Sequence, residues 1–187
     1  NLYYPVFNLP QVELVTDEIA RVTPKGVVTK DGVEREVDTL ILATGFQVTR
    51  YLSAIEVTGR NGTRLEDAWS DGAQAYLGIT TSGFPNLYML YGPNTNNGSI
   101  ITMLEIQIDY ILRQVKRLER ERLAFLDLKP EVEKSYNESM QQEIKAVDVW
   151  AAACGNYYNA ASGRNVTQWP HTIDDFAARM VRPDEEK

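Results

Sequence analysis

Over residues 11–45, apolar and polar positions alternate in short runs. VELV, IARV, GVVT and VEREV are separated by turn signals at Thr23-Pro24-Lys25-Gly26 and Asp31-Gly32. Such alternation gives each run one face for a core, and Asp-Gly between two alternating runs is a hairpin signal. The pattern predicts a small antiparallel β meander. It then changes. TLILATG, residues 39–45, is a continuous apolar run ending in glycine, the pattern of a strand buried on both faces. Leu87–Tyr91 has the same character, so it is expected to be a second buried strand. Residues 46–86 between them are loop-rich, with glycines at 59, 62, 72, 78 and 83.

The remaining periodicity is helical. Ile101, Leu104, Ile108, Ile111, Val115 and Leu118 step by three and four. They predict a helix over Ser99–Leu123 with these residues on its core face. Ile100, Met103 and Ile106 make its first half apolar elsewhere too, so that half is expected to be buried. Lys116, Arg117, Arg120 and Arg122 suit a C-terminal half in water. A second helix begins at Pro130, a favoured first-turn residue, with Val132, Tyr136, Met140 and Ile144 recurring along it. A last helix follows Thr172, whose hydroxyl can cap it, with Asp174 and Asp175 favourable in its first turn. The fold class is therefore α/β: a small antiparallel meander, buried strands and C-terminal helices.

Composition narrows the function classes. The 187 residues are 43% hydrophobic and 24% charged, enough for a real core. With 19 Lys plus Arg against 26 Asp plus Glu, the net charge is −7. Such a chain lacks the clustered cations that neutralise phosphates, so nucleic acid is not an expected partner. The basic run Arg113–Arg122 alternates with acids and reads as a solvated helix end. No apolar run approaches the ~18 residues of a membrane span. One cysteine, Cys154, excludes an internal disulfide and a cysteine metal cluster, and one histidine, His171, removes most metal and triad arrangements. The compartment reads as cytoplasmic. Four N-x-S/T triplets, at Asn61, Asn97, Asn137 and Asn165, count only in a secreted chain.

Two stretches can carry chemistry. In LYMLYGPNTNNGSIITMLEIQ an apolar run breaks at Gly92-Pro93, passes through small polar residues and enters a helix. The free N–H groups of that first turn, with the positive end of the helix dipole behind them, suit a phosphate, a carboxylate or an electron-rich carbonyl. Alternatively, Asn94, Asn96 and Asn97 cap the helix and fill left-handed turn positions. In DTLILATGF, residues 38–46, small residues let the backbone approach a ligand at the carboxyl edge of a sheet, or simply form a strand exit. Trp150, Tyr157 and Trp169 read as core. Cys154 reads as a small buried hydrophobe and His171 as a surface residue at a helix start. Glu105, in the apolar half of the first long helix, is expected to be a buried carboxylate held by a structural partner.

Together these stretches resemble one family. DTLILATGF resembles the D-x-x-I-x-A-T-G-[FY] signature of the FAD- and NADPH-dependent class B flavoprotein monooxygenases. AYLGITTSGFPNLYMLYGPNT, SIITMLEIQIDYI and VWAAACGNYYNAASGRNVTQWP resemble the C-terminal FAD-domain segment and tail of its Baeyer–Villiger branch, in the right order and over essentially the whole chain. The resemblance implies part of a flavoprotein fold with two dinucleotide-binding domains. Residues 1–45 would be the end of the NADPH domain, and 46–187 the C-terminal half of the FAD domain with a helical tail. It implies FAD and NADPH as cofactors and oxygenation of a small-molecule ketone through a flavin C4a-peroxide. An N- or S-oxygenating relative is the alternative.

By the same resemblance, Thr44, Gly45 and Phe46 line the cofactor region. Gly92, Pro93, Asn94 and Thr95 approach the pyrimidine edge of the flavin, and Ser99, Ile100 and Met103 border the substrate pocket. No catalytic residue is implied. Two departures stand out. GPNTNNGSII is two residues shorter than the family's G-P-N-T-N-L-G-H-[GN]-S-I-I, and the chain contains no G-x-G-x-x-G. The expectation is therefore a C-terminal fragment, inactive alone, whose missing partner is the N-terminal Rossmann portion. A non-catalytic module that self-associates through an exposed apolar half-core is the reading from another class.

Overall fold

The computed structural model describes residues 3–151 and 158–181. The chain divides into two compact units, Asn1–Gly45 and Phe46–Lys187. In the first, a short helical turn α1 (Tyr3–Val6) precedes three strands, β1 (Ile19–Thr23), β2 (Gly26–Thr29) and β3 (Glu34–Glu36). They form the expected antiparallel meander in the order β1-β2-β3, with Val22 opposite Val27 and Val27 opposite Arg35. The Asp31-Gly32 turn is as anticipated. Asp31 accepts hydrogen bonds from the Thr29 hydroxyl (2.5 Å) and the Val33 amide (3.0 Å), and Gly32 takes φ +86°.

The run 39–45 does not form the expected buried strand. It has no strand structure, and Leu40, Ile41 (83% exposed) and Leu42 are open. A strand buried on both faces needs paired neighbours and cover, and among the described residues no strand pairs with it. Leu87–Tyr91 also stays outside any sheet. It bends at Leu90 and Tyr91, where Tyr91 takes a left-handed φ of +56°, and its Met89 amide donates to the Ile79 carbonyl (2.8 Å).

The second unit is built on helices. α2 (Leu65–Ala68), α3 (Ile100–Glu121), α4 (Pro130–Lys145), α5 (Asp148–Ala151) and α6 (Ile173–Met180) follow in order. Tyr76, Leu77 and Ile79 from a loop pack with Met103 and Tyr110 of α3, Met140 and Ile144 of α4, and Trp169, Phe176 and Met180. A second cluster gathers Leu65, Trp69, Ala73, Ala75, Phe84 and Met89. Ser99 caps α3, and Thr172 caps α6 through a reciprocal capping box with Asp175. On α4, Met140 and Ile144 are buried and Val132 and Tyr136 are packed against the core, as their spacing indicates. Trp169 is fully buried and Trp150 packs on the core, whereas Cys154 and Tyr157 lie outside the described residues. No helix among the described residues is long and apolar enough to cross a membrane.

Three expectations are corrected here. The buried face of α3 is Met103, Gln107, Tyr110 and Gln114, whereas Ile101 and Ile108 of the anticipated face are exposed. Periodicity shows that a helix is amphipathic, but two buried glutamines, of which Gln107 accepts from the Tyr91 amide, invert the reading. Glu105 is exposed. The buried carboxylate is Glu133 on α4, which accepts from the Thr81 hydroxyl (2.6 Å) and the Ser82 amide (2.9 Å). His171 is not a free surface residue. Its ring contacts Glu143 (2.5 Å), which Arg179 also reaches (3.0 Å), and it sits edge-on to Trp169.

Burial pushes the Glu133 carboxyl above the ordinary carboxylate range, against the lowering effect of its bonds to Thr81 and Ser82. A carboxyl whose pKa is raised on folding stabilises the fold below its unfolded pKa. That contribution is lost as pH rises through the folded value. Glu133→Gln keeps an acceptor for Ser82 and a partner for Thr81 without the charge. Measured by urea unfolding, the stability of E133Q relative to wild type should rise as pH increases above the ordinary carboxyl value of about 4. A constant difference over that rise would refute the burial argument.

Candidate functional site

Gly92, Pro93, Asn94 and Thr95 are all buried, and the reason is a close crossing of two loops. A Cβ on Gly92 would stand 2.3 Å from the Gly78 carbonyl oxygen, and a Cβ on Gly78 would stand 2.1 Å from Thr95 Cγ2. Only glycine lets these backbones touch, and Gly78 also takes φ +66°. The crossing is held from behind by α3. Gln107 Oε1 accepts from the Tyr91 amide (3.0 Å), and Gln107 Nε2 points to the carbonyls of Leu77 (3.4 Å) and Gly78 (3.5 Å). The Thr95 hydroxyl closes the turn onto the Gly92 carbonyl (2.7 Å).

The asparagines are mostly structural. Asn94 takes the left-handed conformation, φ +57°. Its amide group donates to the carbonyls of Asn165 (3.0 Å) and Gln168 (3.1 Å). The Asn94 and Asn96 backbone amides donate to Val166 (3.0 Å) and Thr167 (2.8 Å), and Asn96 pairs with Gln168 in a parallel bridge. Asn97 holds the Trp169 carbonyl (3.1 Å). The turn is thus stitched to residues 165–169, a segment in which the sequence marks Trp169 as core and the rest as part of the family-like tail. Asn165 also exchanges two bonds with Gln141 on α4 (2.8 and 3.1 Å). Asn137 and Asn165 are buried, so neither of these two triplets presents an accessible asparagine.

What faces outward is the start of α3. Ser99 accepts from the Thr102 amide (3.4 Å), so one donor of the first turn is used. The amides of Ile100 and Ile101 have no intrahelical acceptor by helix geometry. No acidic residue stands in that first turn. Two buried polar atoms in the stitched region have no partner, Asn94 Oδ1 and Thr167 Oγ1.

The turn and the helix start bring Gly92, Pro93, Asn94, Thr95, Ser99 and Ile100 together within one unit. Met103, from the same set, is fully buried in the core cluster beneath them. Thr44 and Gly45 close the other unit, and Phe46, 87% exposed, opens this one. Sequence reading did not single out a cavity of about 410 Å³ lined by Tyr51, Leu52, Val57, Leu65, Trp69 and Ala73. Burial raises the Tyr51 phenol pKa well above its ordinary value. No residue of the Gly92–Thr95 turn lines this cavity.

No protein-family model matches the chain. Individual proteins do. A Baeyer–Villiger monooxygenase of Pseudomonas aeruginosa is 42% identical over 172 residues, which is 90% of this chain and 32% of that protein. The FAD-binding monooxygenase ktnD of Aspergillus niger is 37% identical over 177 residues, 91% of this chain and 29% of that protein. Among solved structures, cyclohexanone monooxygenase from Rhodococcus sp. Phi1 bound to NADP+ superposes with a TM-score of 0.80 at 32% identity, covering 96% of this chain and 35% of that one. This chain is a homologue of one part of the Baeyer–Villiger monooxygenases. It spans about a third of the length of these relatives. Its mixed helices and small antiparallel sheet match the corresponding portion of the monooxygenase fold.

The Gly78–Gly92 crossing yields a direct test. Gly78→Ala adds a methyl into Thr95 and forces a left-handed residue, so it should cost roughly 2–4 kcal/mol in urea unfolding. Gly32→Ala, also left-handed but with open space around its Cβ, should cost only about 1 kcal/mol. Equal effects would mean that the crossing is not tight.

Proposed function

We propose that this chain is the portion of an FAD- and NADPH-dependent Baeyer–Villiger monooxygenase that borders the flavin edge and one side of the substrate pocket. The observation that carries the reading is the start of α3. A long helix opens with free amides and no carboxylate, mounted on a turn of small residues that a buried glutamine holds rigid. The residues present fit an electron-rich ring edge: the amides of Ile100 and Ile101 would meet it, with Gly92–Thr95 behind them. Bound FAD, reduced by NADPH, supplies the oxygen-activating chemistry.

The chain's own residues act on charge and water. Donors fixed before the reaction stabilise a ring oxygen as it gains charge, at no cost in reorganisation. The dipole of α3 adds to that field. Ser99 and Ile100 would border the substrate, with Ile100 as an apolar wall that excludes water. Thr44, Gly45 and Phe46 would line the cofactor region, and residues 1–45 would be the end of the NADPH domain. The setting is cytoplasmic in this reading, on the single cysteine.

The test uses the polypeptide that carries this chain with the remaining two thirds of the fold. Supplied with NADPH, ¹⁸O₂ and a cyclic ketone, it should return a lactone with one labelled oxygen, and the 187-residue chain alone should return none. Label only in a sulfoxide or N-oxide would move the reading to heteroatom oxygenation. No labelled product from any of these would leave a non-catalytic module. A second assay probes the helix start. Ile101→Asp places a carboxylate beside the free amides and should lower the midpoint potential of the bound flavin. An unchanged potential would detach α3 from the flavin.

A further inference from the structure

Two of the four N-x-S/T triplets carry glycine in the middle, Asn61-Gly62-Thr63 and Asn97-Gly98-Ser99. The second lies where the chain is two residues shorter than the family pattern it resembles. In that pattern Thr, Leu or Ser follows each asparagine, and the shortened loop alone sets one before glycine. Asparagine is among the thermolabile residues. Its side-chain amide carbon lies within reach of the next backbone nitrogen, so ring closure is intramolecular, and glycine adds no Cβ to obstruct it. The structure leaves this pair open to that reaction. Asn97 and Gly98 are exposed and form a bend outside any helix or strand. On one side Asn96 is fixed, its amide donating to Thr167 (2.8 Å) and its carbonyl accepting from Trp169 (2.8 Å). On the other, Ser99 caps α3. The two residues between take up the mismatch, Asn97 at φ +142° and Gly98 at φ +109°. A side chain at such a φ is strained, whereas glycine adopts it freely. Among the described residues the Gly98 amide makes no backbone hydrogen bond. Asn97 donates from Nδ2 to the Trp169 carbonyl (3.1 Å), which engages the nitrogen that departs and not the carbon that is attacked. Asn94, Asn137 and Asn165, in contrast, are buried and precede Thr95, Glu138 and Val166.

We infer that Asn97 is a site of self-modification by deamidation. The Gly98 nitrogen loses its proton and bonds to the Asn97 amide carbon, closing a five-membered succinimide. The bond from that carbon to Nδ2 breaks, and ammonia leaves. Water then opens the ring at either carbonyl. Opening at the side-chain carbonyl gives aspartate. Opening at the main-chain carbonyl gives isoaspartate, whose backbone runs through the former side chain. Water is the only co-reactant, and nothing is oxidised or reduced. The product sets a carboxylate two residues before the cap of α3, beside a first turn with no acid of its own. It also removes the donor on the Trp169 carbonyl. An anion there occupies the positive field at the helix start. The consequence for function rests on the reading above: that field is the one assigned to the flavin edge, so the modification turns the site down as the protein ages.

Mass spectrometry tests the chemistry on the full chain. Aged in mildly alkaline ¹⁸O-labelled water, the folded chain should exchange one nitrogen for one labelled oxygen at residue 97, with aspartate and isoaspartate both among the products. Mildly acidic buffer should slow the change, because the Gly98 nitrogen has to lose a proton. Asn97→Gln moves the amide carbon one methylene away and should react about a hundredfold more slowly or worse. Asn97 intact while Asn61 converts overturns the inference, since the Trp169 bond then protects it. Conversion that occurs only after unfolding in urea overturns it as well. The consequence is read separately, in the polypeptide that carries this chain with the rest of the fold. There Asn97→Asp should lower the midpoint potential of the bound flavin. An unchanged potential counts against the flavin-facing reading of α3 alone, because the mass change at residue 97 does not depend on flavin.

Discussion

One buried amide, that of Gln107, organises the second unit. It lies in the core with no exposure, facing the Tyr91 amide and the carbonyls of Leu77 and Gly78. A polar side chain inside a core is tolerated only when its hydrogen bonds are made, and an unmade one costs about 1–3 kcal/mol. That asymmetry fixes three chain segments at one point. Gly78 and Gly92 can then cross at backbone contact, because neither carries a Cβ that would stand between them. The turn inherits its rigidity from an interaction on the opposite side of the helix that follows it.

The consequence for the site is a division of labour among small polar residues. Asn94, Asn96 and Asn97 spend their donors on residues 165–169, so the turn is stitched to a segment about seventy residues away. Buried backbone groups have to be paired somewhere, and asparagine pairs them where no regular sheet exists. In the outward first turn of α3, the amides of Ile100 and Ile101 have no intrahelical acceptor by helix geometry. The helix-cap reading of this stretch is thus the one its hydrogen bonds carry, and the same bonds hold the start of α3 in place.

Local signals were legible in the sequence wherever the physics is local. The Asp31-Gly32 hairpin, the Pro130 start of α4 and the Thr172 cap need only neighbouring residues, and each forms where the pattern put it. The buried face of α3 was misread for a physical reason. Hydropathy ranks Gln107 and Gln114 as surface residues, but the partners of Gln107 are remote in sequence. Glu133 was missed in the same way, since its cover comes from Thr81 and Ser82, and Glu105 was over-read because its neighbours are apolar. At the site, Gly92–Thr95 stood out through composition, whereas their pairing with 165–169 left no mark in either segment alone.

The runs that failed as expectations share one property. Residues 39–45 read as a strand buried on both faces, and the arc from Ile101 to Val115 read as the core face of a helix. Both are open here. Hydrophobic pattern reports the environment for which a segment is built, and that environment includes cover from other parts of a fold. A chain spanning about a third of its relatives shows them open. The mismatch marks apolar surface at Ile41 and Leu42 in the first unit and at Ile101 and Ile108 in the second.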